Sequence, residues 1–256
     1  STSLVELYYN SSYNYMRNLT ISLKGGKFMH EVKNKSSIND EIQKSGFMNL
    51  FSFPVDSFVK LITFLPNEYI IKENTLPSHL FFLTSGRAKL YTTLANGKIA
   101  LIDFFRAPCF VGEMELIGHT QDICSVQAIE PCLCLALPIT QCREMLLADP
   151  VFLREICLYL GDKNAKNIRS LTKNQAYSLE NRLAGFILLS TSTNIYEEKH
   201  SHAAEYLGVS YRHLLYVMAQ FVEKGFLKKE NRIYQISNRQ ALLQLAHIVD
   251  PDLFFG

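Results

Sequence analysis

Arg212, with Tyr211, His213 and Tyr216 beside it, makes a set of side chains suited to reading nucleic acid. A guanidinium pairs bidentately with guanine, and imidazole or phenol groups donate to bases and phosphates. All four follow directly after Ser210, a residue type that caps helices by accepting from the backbone N–H groups of the first turn. Such groups read bases only if a helix presents its first two turns to a major groove.

The flanking residues predict that presentation. Ala203, Ala204 and Leu207 form a compact apolar stripe at helical spacing, Gly208 supplies a left-handed turn, and Val209 plugs the angle between two short helices. In the second helix Leu214, Leu215, Met218 and Phe221 are expected to be buried, leaving Tyr211, Arg212, His213 and Tyr216 outward. This is the layout of a helix-turn-helix, although an ordinary helical hairpin with a glycine turn uses the same residue types. The downstream residues favour the former. Gly225 to Ile236 reads as strand, turn at Glu230 to Arg232, and strand, which is the wing of a winged helix. From Lys199 to Arg239 there are seven Lys or Arg against three Glu, a local net charge of +4 in a chain of net +2. Lys228, Lys229 and Arg232 are therefore the expected phosphate grips at the wing. His200 and His202 open the first helix; a helix start facing phosphate is the expected setting for both, and a metal pair is the alternative.

At 256 residues and 48% hydrophobic composition the chain has room for two small cores or one large one. No run of about 18 apolar residues suggests a membrane span, and no charged-then-apolar start suggests a secretory signal, so a cytoplasmic protein with no membrane partner is expected. The six cysteines, 109, 124, 132, 134, 142 and 157, are confined to the middle of the chain, unlike a disulfide framework. Residues 1–45 mix Asn, Ser, Tyr and Lys with little periodicity and read as a poorly packed or accessory extension of unclear role.

From Pro66 short apolar runs alternate with turn residues. Tyr69–Ile71, His79–Leu83, Ala88–Leu94, Ile99–Phe105, Ser125–Ile129 and Cys132–Leu137 are strand-like, and Asn96-Gly97 signals a hairpin. An antiparallel barrel or jelly roll over 46–150 is implied. Helical spacing begins at Ile139, and Leu153, Cys157, Leu160, Asn164, Asn167, Leu171 and Asn174 recur at heptad intervals. Residues 151–177 thus predict a dimerisation helix with polar positions in its seam, or a helix lying across the barrel. The winged-helix domain takes 178–256. The fold class is α+β.

Barrel, long helix and winged helix in that order resemble the Crp/Fnr family of bacterial transcription regulators. The resemblance is carried by Leu83-Thr-Ser-Gly86, Asn96-Gly97, Phe110-Val-Gly-Glu-Met114 and Glu180-Asn-Arg-Leu-Ala184. Leu94–Gly97, Leu101–Phe105 and Ala203–Tyr216 look closest to its YeiL subgroup. It implies a cyclic-nucleotide-binding-like β-roll, a homodimer through residues 151–177, double-stranded DNA as partner at an inverted repeat, and an RNA polymerase contact. In the nucleotide-binding members a Gly-Glu pair holds the ribose and an Arg-Ser pair the cyclic phosphate. Gly112 and Glu113 match the first pair, but Asp122 and Ile123 stand where the second belongs, and Asn167 is a weak match to the adenine contacts. A carboxylate repels a phosphate, so cyclic AMP is not the expected ligand. The iron-sulfur members carry cysteines before the barrel, where this chain has none. Cys132 and Cys134 share a strand face that Cys109 or Cys124 could approach, a candidate redox or metal site; small buried cysteines filling a barrel are the plainer reading. No cofactor, metal ligand or catalytic residue is expected. A metal-dependent cupin enzyme would need a His-x-His motif and a carboxylate, whereas the barrel stretch holds only His79 and His119. A ligand- or redox-responsive regulator, or a β-roll module acting on a protein partner, remain alternatives.

Overall fold

The structure, a computed structural model, describes residues 29–231 and 233–249, and for 170–175 the backbone alone. The chain forms two compact units: residues up to 88 with 105–159, and residues 89–104 with 160 onward.

The first unit is built on antiparallel strands. β1 (His30–Val32), β2 (Lys60–Phe64), β3 (Tyr69–Ile71), β4 (His79–Ser85), β5 (Arg87–Thr93), β6 (Ile99–Arg106), β7 (Cys109–Val111), β8 (Ser125–Ala128) and β9 (Cys132–Pro138) make two sheets. One has the order β1-β2-β9-β4-β7 and the other β3-β8-β5-β6, of which residues 89–104, holding most of β5 and β6, are part of the second unit. β2 and β9 are nearly continuous buried runs, which is why β2 shows no alternation in the sequence.

Part of the N-terminal stretch is well packed, contrary to the accessory arm expected for 1–45. β1 pairs with β2 through His30↔Thr63 to Val32↔Leu61, Val32 is buried, and His30 Nε2 lies 2.9 Å from Glu68 Oε1. α1 (Lys35–Ser45) follows, capped by Asn34 and stopped at Gly46, with Ile42 buried. Residues 1–28 lie outside the described residues.

Phenylalanines tie this unit together. Phe51 stacks on Phe152 at 5.5 Å, Phe47 lies 5.4 Å from Phe82, and Phe110 meets Phe82 at 5.1 Å and Phe152 at 6.1 Å. Phe152 belongs to the long helix α4 (Pro150–Ala176), which follows α2 (Glu113–Leu116) and α3 (Ile139–Ala148). Ile156 is also buried, and the Tyr159 hydroxyl donates to Phe110 O at 2.9 Å. Of the heptad positions, Leu153 and Leu160 are half-buried, and Cys157, Asn164 and Asn167 are exposed. Among the described residues of α4, the large apolar side chains most open are Leu158 and Ile168, outside that seam. The side chains of Leu171 and Asn174 lie outside the described residues.

The second unit contains α5 (Leu179–Ser190), β10 (Ile195–Tyr196), α6 (His200–Tyr206), α7 (Tyr211–Glu223), β11 (Leu227–Glu230), β12 (Ile233–Ile236) and α8 (Arg239–Val249). The strands form a small sheet in the order β10-β12-β11. α5 buries Leu179, Leu183, Phe186, Ile187 and Leu188, and Asn181 Nδ2 donates to Leu245 O of α8 at 3.2 Å. Arg182 donates to Tyr177 O and, at 2.6 Å, to Leu207 O at the end of α6. The Glu180–Ala184 motif therefore opens the domain by anchoring two other helices. The β5–β6 hairpin belongs to this unit: Phe104 meets Phe186 at 5.8 Å and Tyr206 at 5.6 Å, and Lys166 Nζ donates to both Asp103 carboxylate oxygens.

Candidate nucleic-acid interface

Local chemistry sets the angle between α6 and α7. Gly208 adopts φ +64°, the Gly208 N–H donates to Glu205 O at 3.1 Å, and the Val209 N–H donates to Ala204 O at 3.0 Å. These two bonds are the Schellman pair that satisfies the last carbonyls of a helix. Ser210 then starts α7, its Oγ accepting from the His213 N–H at 3.2 Å. α7 ends on a second such pair, at Gly225 and Phe226, with the Phe226 ring 5.7 Å from Phe221.

The buried face of α7 is Leu214, Val217, Met218 and Phe221. Leu215, expected inside, is exposed; Val217 takes the inward position because it lies one turn from Leu214 and Phe221 on the same stripe. Arg212 and Tyr216, four residues apart, occupy the middle of the outward face, and Tyr216 is 62% exposed. Tyr211 and His213 flank them, also exposed.

The wing places its two lysines differently. Lys229 pairs across the ladder with Tyr234, on the same side as buried Leu227 and Ile236, while Lys228 pairs with Gln235 on the other side. Lys228 Nζ lies 2.9 Å from Glu230 Oε1, both well exposed, so that pair adds little stability and leaves the cation in water. Arg232 lies outside the described residues.

His202 does not face outward as expected. Its side chain is 15% exposed and its Nδ1 lies 3.0 Å from Glu198 Oε1. The helix turns it inward because Ala203 and Ala204 beside it are the buried positions of α6. His200, expected together with His202 at a phosphate-facing helix start, has its ring among Tyr196, Tyr211 and Tyr234, at centroid distances of 6.2, 6.5 and 5.4 Å. The pairing of Tyr196 with Tyr234 across β10 and β12 is what brings Tyr234 to it.

The effector candidates lie as follows. Gly112 has φ +93°, and a Cβ there would stand 3.2 Å from His79 O, so the turn before α2 requires glycine. Glu113 is buried. Ile123 is buried with its carbonyl accepting from the Asn74 N–H, and Asp122 is exposed at φ +55°. Asn167 is an exposed residue of α4 in the second unit.

The cysteines are free thiols. In the first sheet Leu83 pairs with Cys109 on one side and Cys134 on the other. Cys132 donates to Arg87 O and Glu130 O, and half-buried Cys124 to Asp122 O. Burial pushes the Cys132 and Cys134 thiols well up, which works against thiolate chemistry. Among the described residues no group of His, Cys, Asp or Glu is placed to hold a metal ion, and no helix is long and apolar enough to cross a membrane.

Comparison with known proteins accords with this architecture. The cyclic nucleotide-binding domain family matches residues 61–149. The regulatory protein YeiL of Escherichia coli O157:H7 is 54% identical over 215 residues, covering 84% of this chain and 98% of that protein. The chain belongs to the Crp/Fnr family of transcription regulators. Solved structures share its fold: a Crp/Fnr-family regulator from Thermus thermophilus has a TM-score of 0.56 at 18% identity, covering 73% of this chain and 98% of its own. Another, from Eubacterium rectale, has a TM-score of 0.58 at 16% identity, covering 83% and 94%. This Crp/Fnr protein is thus a regulator, and its relatives are regulators rather than enzymes.

Proposed function

We propose that this Crp/Fnr protein is a homodimeric, sequence-specific DNA-binding regulator acting in the cytoplasm on an inverted repeat, without control by cyclic AMP. The observation that carries the reading is α7 itself, capped at Ser210 and set by the Gly208 turn so that Arg212 and Tyr216 point outward. In that role Arg212, Tyr211, His213 and Tyr216 read base edges in the major groove, and Lys228, Lys229 and Arg232 grip phosphates. Pairing through α4 sets the two recognition helices about 34 Å apart, one turn of DNA. The exposed Leu158 and Ile168 on α4 support a partner on that helix. The exposed carboxylate at Asp122, where nucleotide-binding members carry a cation, supports independence from cyclic AMP. An RNA polymerase contact completes the role of an activator or repressor at a promoter.

Selection of sites from random duplexes by the purified protein, under reducing and oxidising conditions and with and without cyclic AMP, tests the reading. An inverted repeat recovered equally well in all conditions is the expected result. Recovery only with cyclic AMP, or in one redox state only, replaces it with a ligand- or thiol-controlled regulator. No retention of any duplex at low salt favours a protein partner.

A further inference from the structure

His200 is the first residue of α6, yet its neighbours come from three other elements. The ring lies nearly parallel to Tyr196 of β10, 14° between planes at 6.2 Å, 5.4 Å from Tyr234 of β12, and 6.5 Å from Tyr211 at the start of α7. These separations are those at which aromatic pairs attract. Tyr234 is buried and Tyr196 is fully buried, so two of the three neighbours are fixed by the wing sheet. The third, Tyr211, is 53% exposed, and the His200 ring joins it to that sheet.

We propose that His200 is a positioning residue, which holds Tyr211 at a set distance from the wing and thereby sets the base preference that Tyr211 reads. This rests on the DNA-binding reading above. The Tyr211 ring lies tilted by 49° against His200, and a ring in this place favours the Tyr211 rotamers that contact it, which lowers the ordering cost when DNA arrives. Arg212 and Tyr216, on the middle of the outward face, reach DNA without passing through His200.

Charge adds a second consequence. Burial first, and Lys229 second, hold the His200 imidazole below its ordinary range, so the ring is neutral near pH 7. The groups facing it are Lys229 from β11, Tyr234 from β12, Tyr196 from β10 and Tyr211 from α7. On its own helix His202 is held by Glu198. A proton added to His200 puts a second cation beside Lys229 and disfavours the half-buried position of the ring among the tyrosines. Base discrimination should therefore weaken in acid.

The test measures binding of the selected site and of a scrambled duplex, from about pH 8 to about pH 5, by the full chain and its His200→Ala and His200→Phe variants. The expected result for His200→Ala is a loss of about tenfold in the ratio of specific to scrambled binding, concentrated at one base pair of each half-site. Binding to scrambled duplex should change little. His200→Phe, which keeps a flat ring, should restore the ratio at about pH 8, and the wild-type ratio should fall more steeply in acid than that of this variant. His213 is common to both proteins and cancels in that comparison. Equal weakening on both duplexes makes His200 a phosphate contact and overturns the proposal, as does a wild-type ratio that rises in acid relative to that of the phenylalanine variant, or a phenylalanine variant that follows the wild-type pH course. If the wild-type protein retains neither duplex at low salt, the DNA-binding reading fails and the proposal falls with it.

Discussion

Lys89, on the β5–β6 hairpin, and Glu198, just ahead of α6, form an ion pair with Nζ 2.8 Å from Oε2 and side chains only 21% and 12% exposed. The other carboxylate oxygen of Glu198 holds His202. Burial alone would raise the Glu198 carboxyl, but Lys89 and His202 together bring it below the usual carboxylate range. One carboxylate thus fastens the hairpin and the first helix of the helix-turn-helix within the second unit. Removing Glu198 takes this ion pair from Lys89, and removing Lys89 leaves the largely buried Glu198 with His202 alone, so Lys89→Met and Glu198→Gln should each destabilise that unit by about 1–3 kcal/mol. The double variant should cost less than the sum, with a coupling of about 1 kcal/mol. Urea unfolding followed by tyrosine fluorescence is suitable, because the chain has 13 Tyr and no Trp. Because the folded-state carboxyl is depressed, the stabilisation is complete above its unfolded value and is lost as pH falls through the folded one.

Base reading and phosphate gripping should separate in binding data. Arg212→Ala should cost about 1–3 kcal/mol, relaxing preference at one base position. Lys228→Ala should weaken binding to every sequence alike and reduce the slope of log affinity against log salt by about one. Gel shifts over a salt series on the selected site and its single-base variants distinguish the two. Uniform weakening by Arg212→Ala would reassign it to a phosphate.

The turn at Gly208 isolates a pure backbone effect. A Cβ added there meets nothing within 4 Å, yet φ is +64°. Gly208→Ala should therefore cost about 1–2 kcal/mol of conformational energy with no clash. Ser210→Ala removes the acceptor for the His213 N–H and should cost about 1 kcal/mol. Thermal unfolding reads both, and site binding should follow only as far as α7 loses its fixed start.

What the sequence disclosed and what it withheld divide along chain distance. The turn at Gly208, the cap at Ser210 and the wing strands all follow from chemistry spread over a few residues, and all were legible. β2 escaped because a strand buried on both faces carries no alternation, and β1 because three residues carry no period. α8 did have a signal: Asn238 caps it, its Oδ1 accepting from the Ala241 N–H, and Leu242 and Ala246 are four apart on its buried face. Glu198 could not be paired from sequence, since Lys89 lies 109 positions away. His202 sits beside the legible Ala203–Ala204 stripe, which sets its side of the helix, but nothing in the sequence marks Glu198 as the carboxylate that holds its ring. The hairpin is the clearest case: Asn96-Gly97 fixes its turn, but nothing local says that Phe104 will pack on Phe186 and Tyr206.

Asp149 joins the two halves of the first unit's helical segment. It stands between α3 and α4, buried, with Oδ2 accepting from the Ser52 N–H at 2.9 Å and Oδ1 from the Val151 N–H at 3.0 Å. Burial would push its carboxyl up; the bonds from Ser52, then those from Val151 and Phe152, outweigh that and hold it below the usual range. Asp149→Ala should cost about 1–2 kcal/mol, the loss of a helix cap with a second anchor on the chain at Ser52. Asp149→Asn keeps an acceptor oxygen and should cost less at neutral pH. The two substitutions differ most in acid. The folded value is depressed, so the wild-type advantage over Asp149→Asn is present in full above the unfolded carboxylate value of about 3.9 and disappears as pH falls through the folded one. Urea titrations from about pH 7 down to about pH 3 would show the wild-type and asparagine curves converging. Parallel curves would mean that the charge on Asp149 contributes nothing, and that the backbone bonds serve equally well when made by an amide.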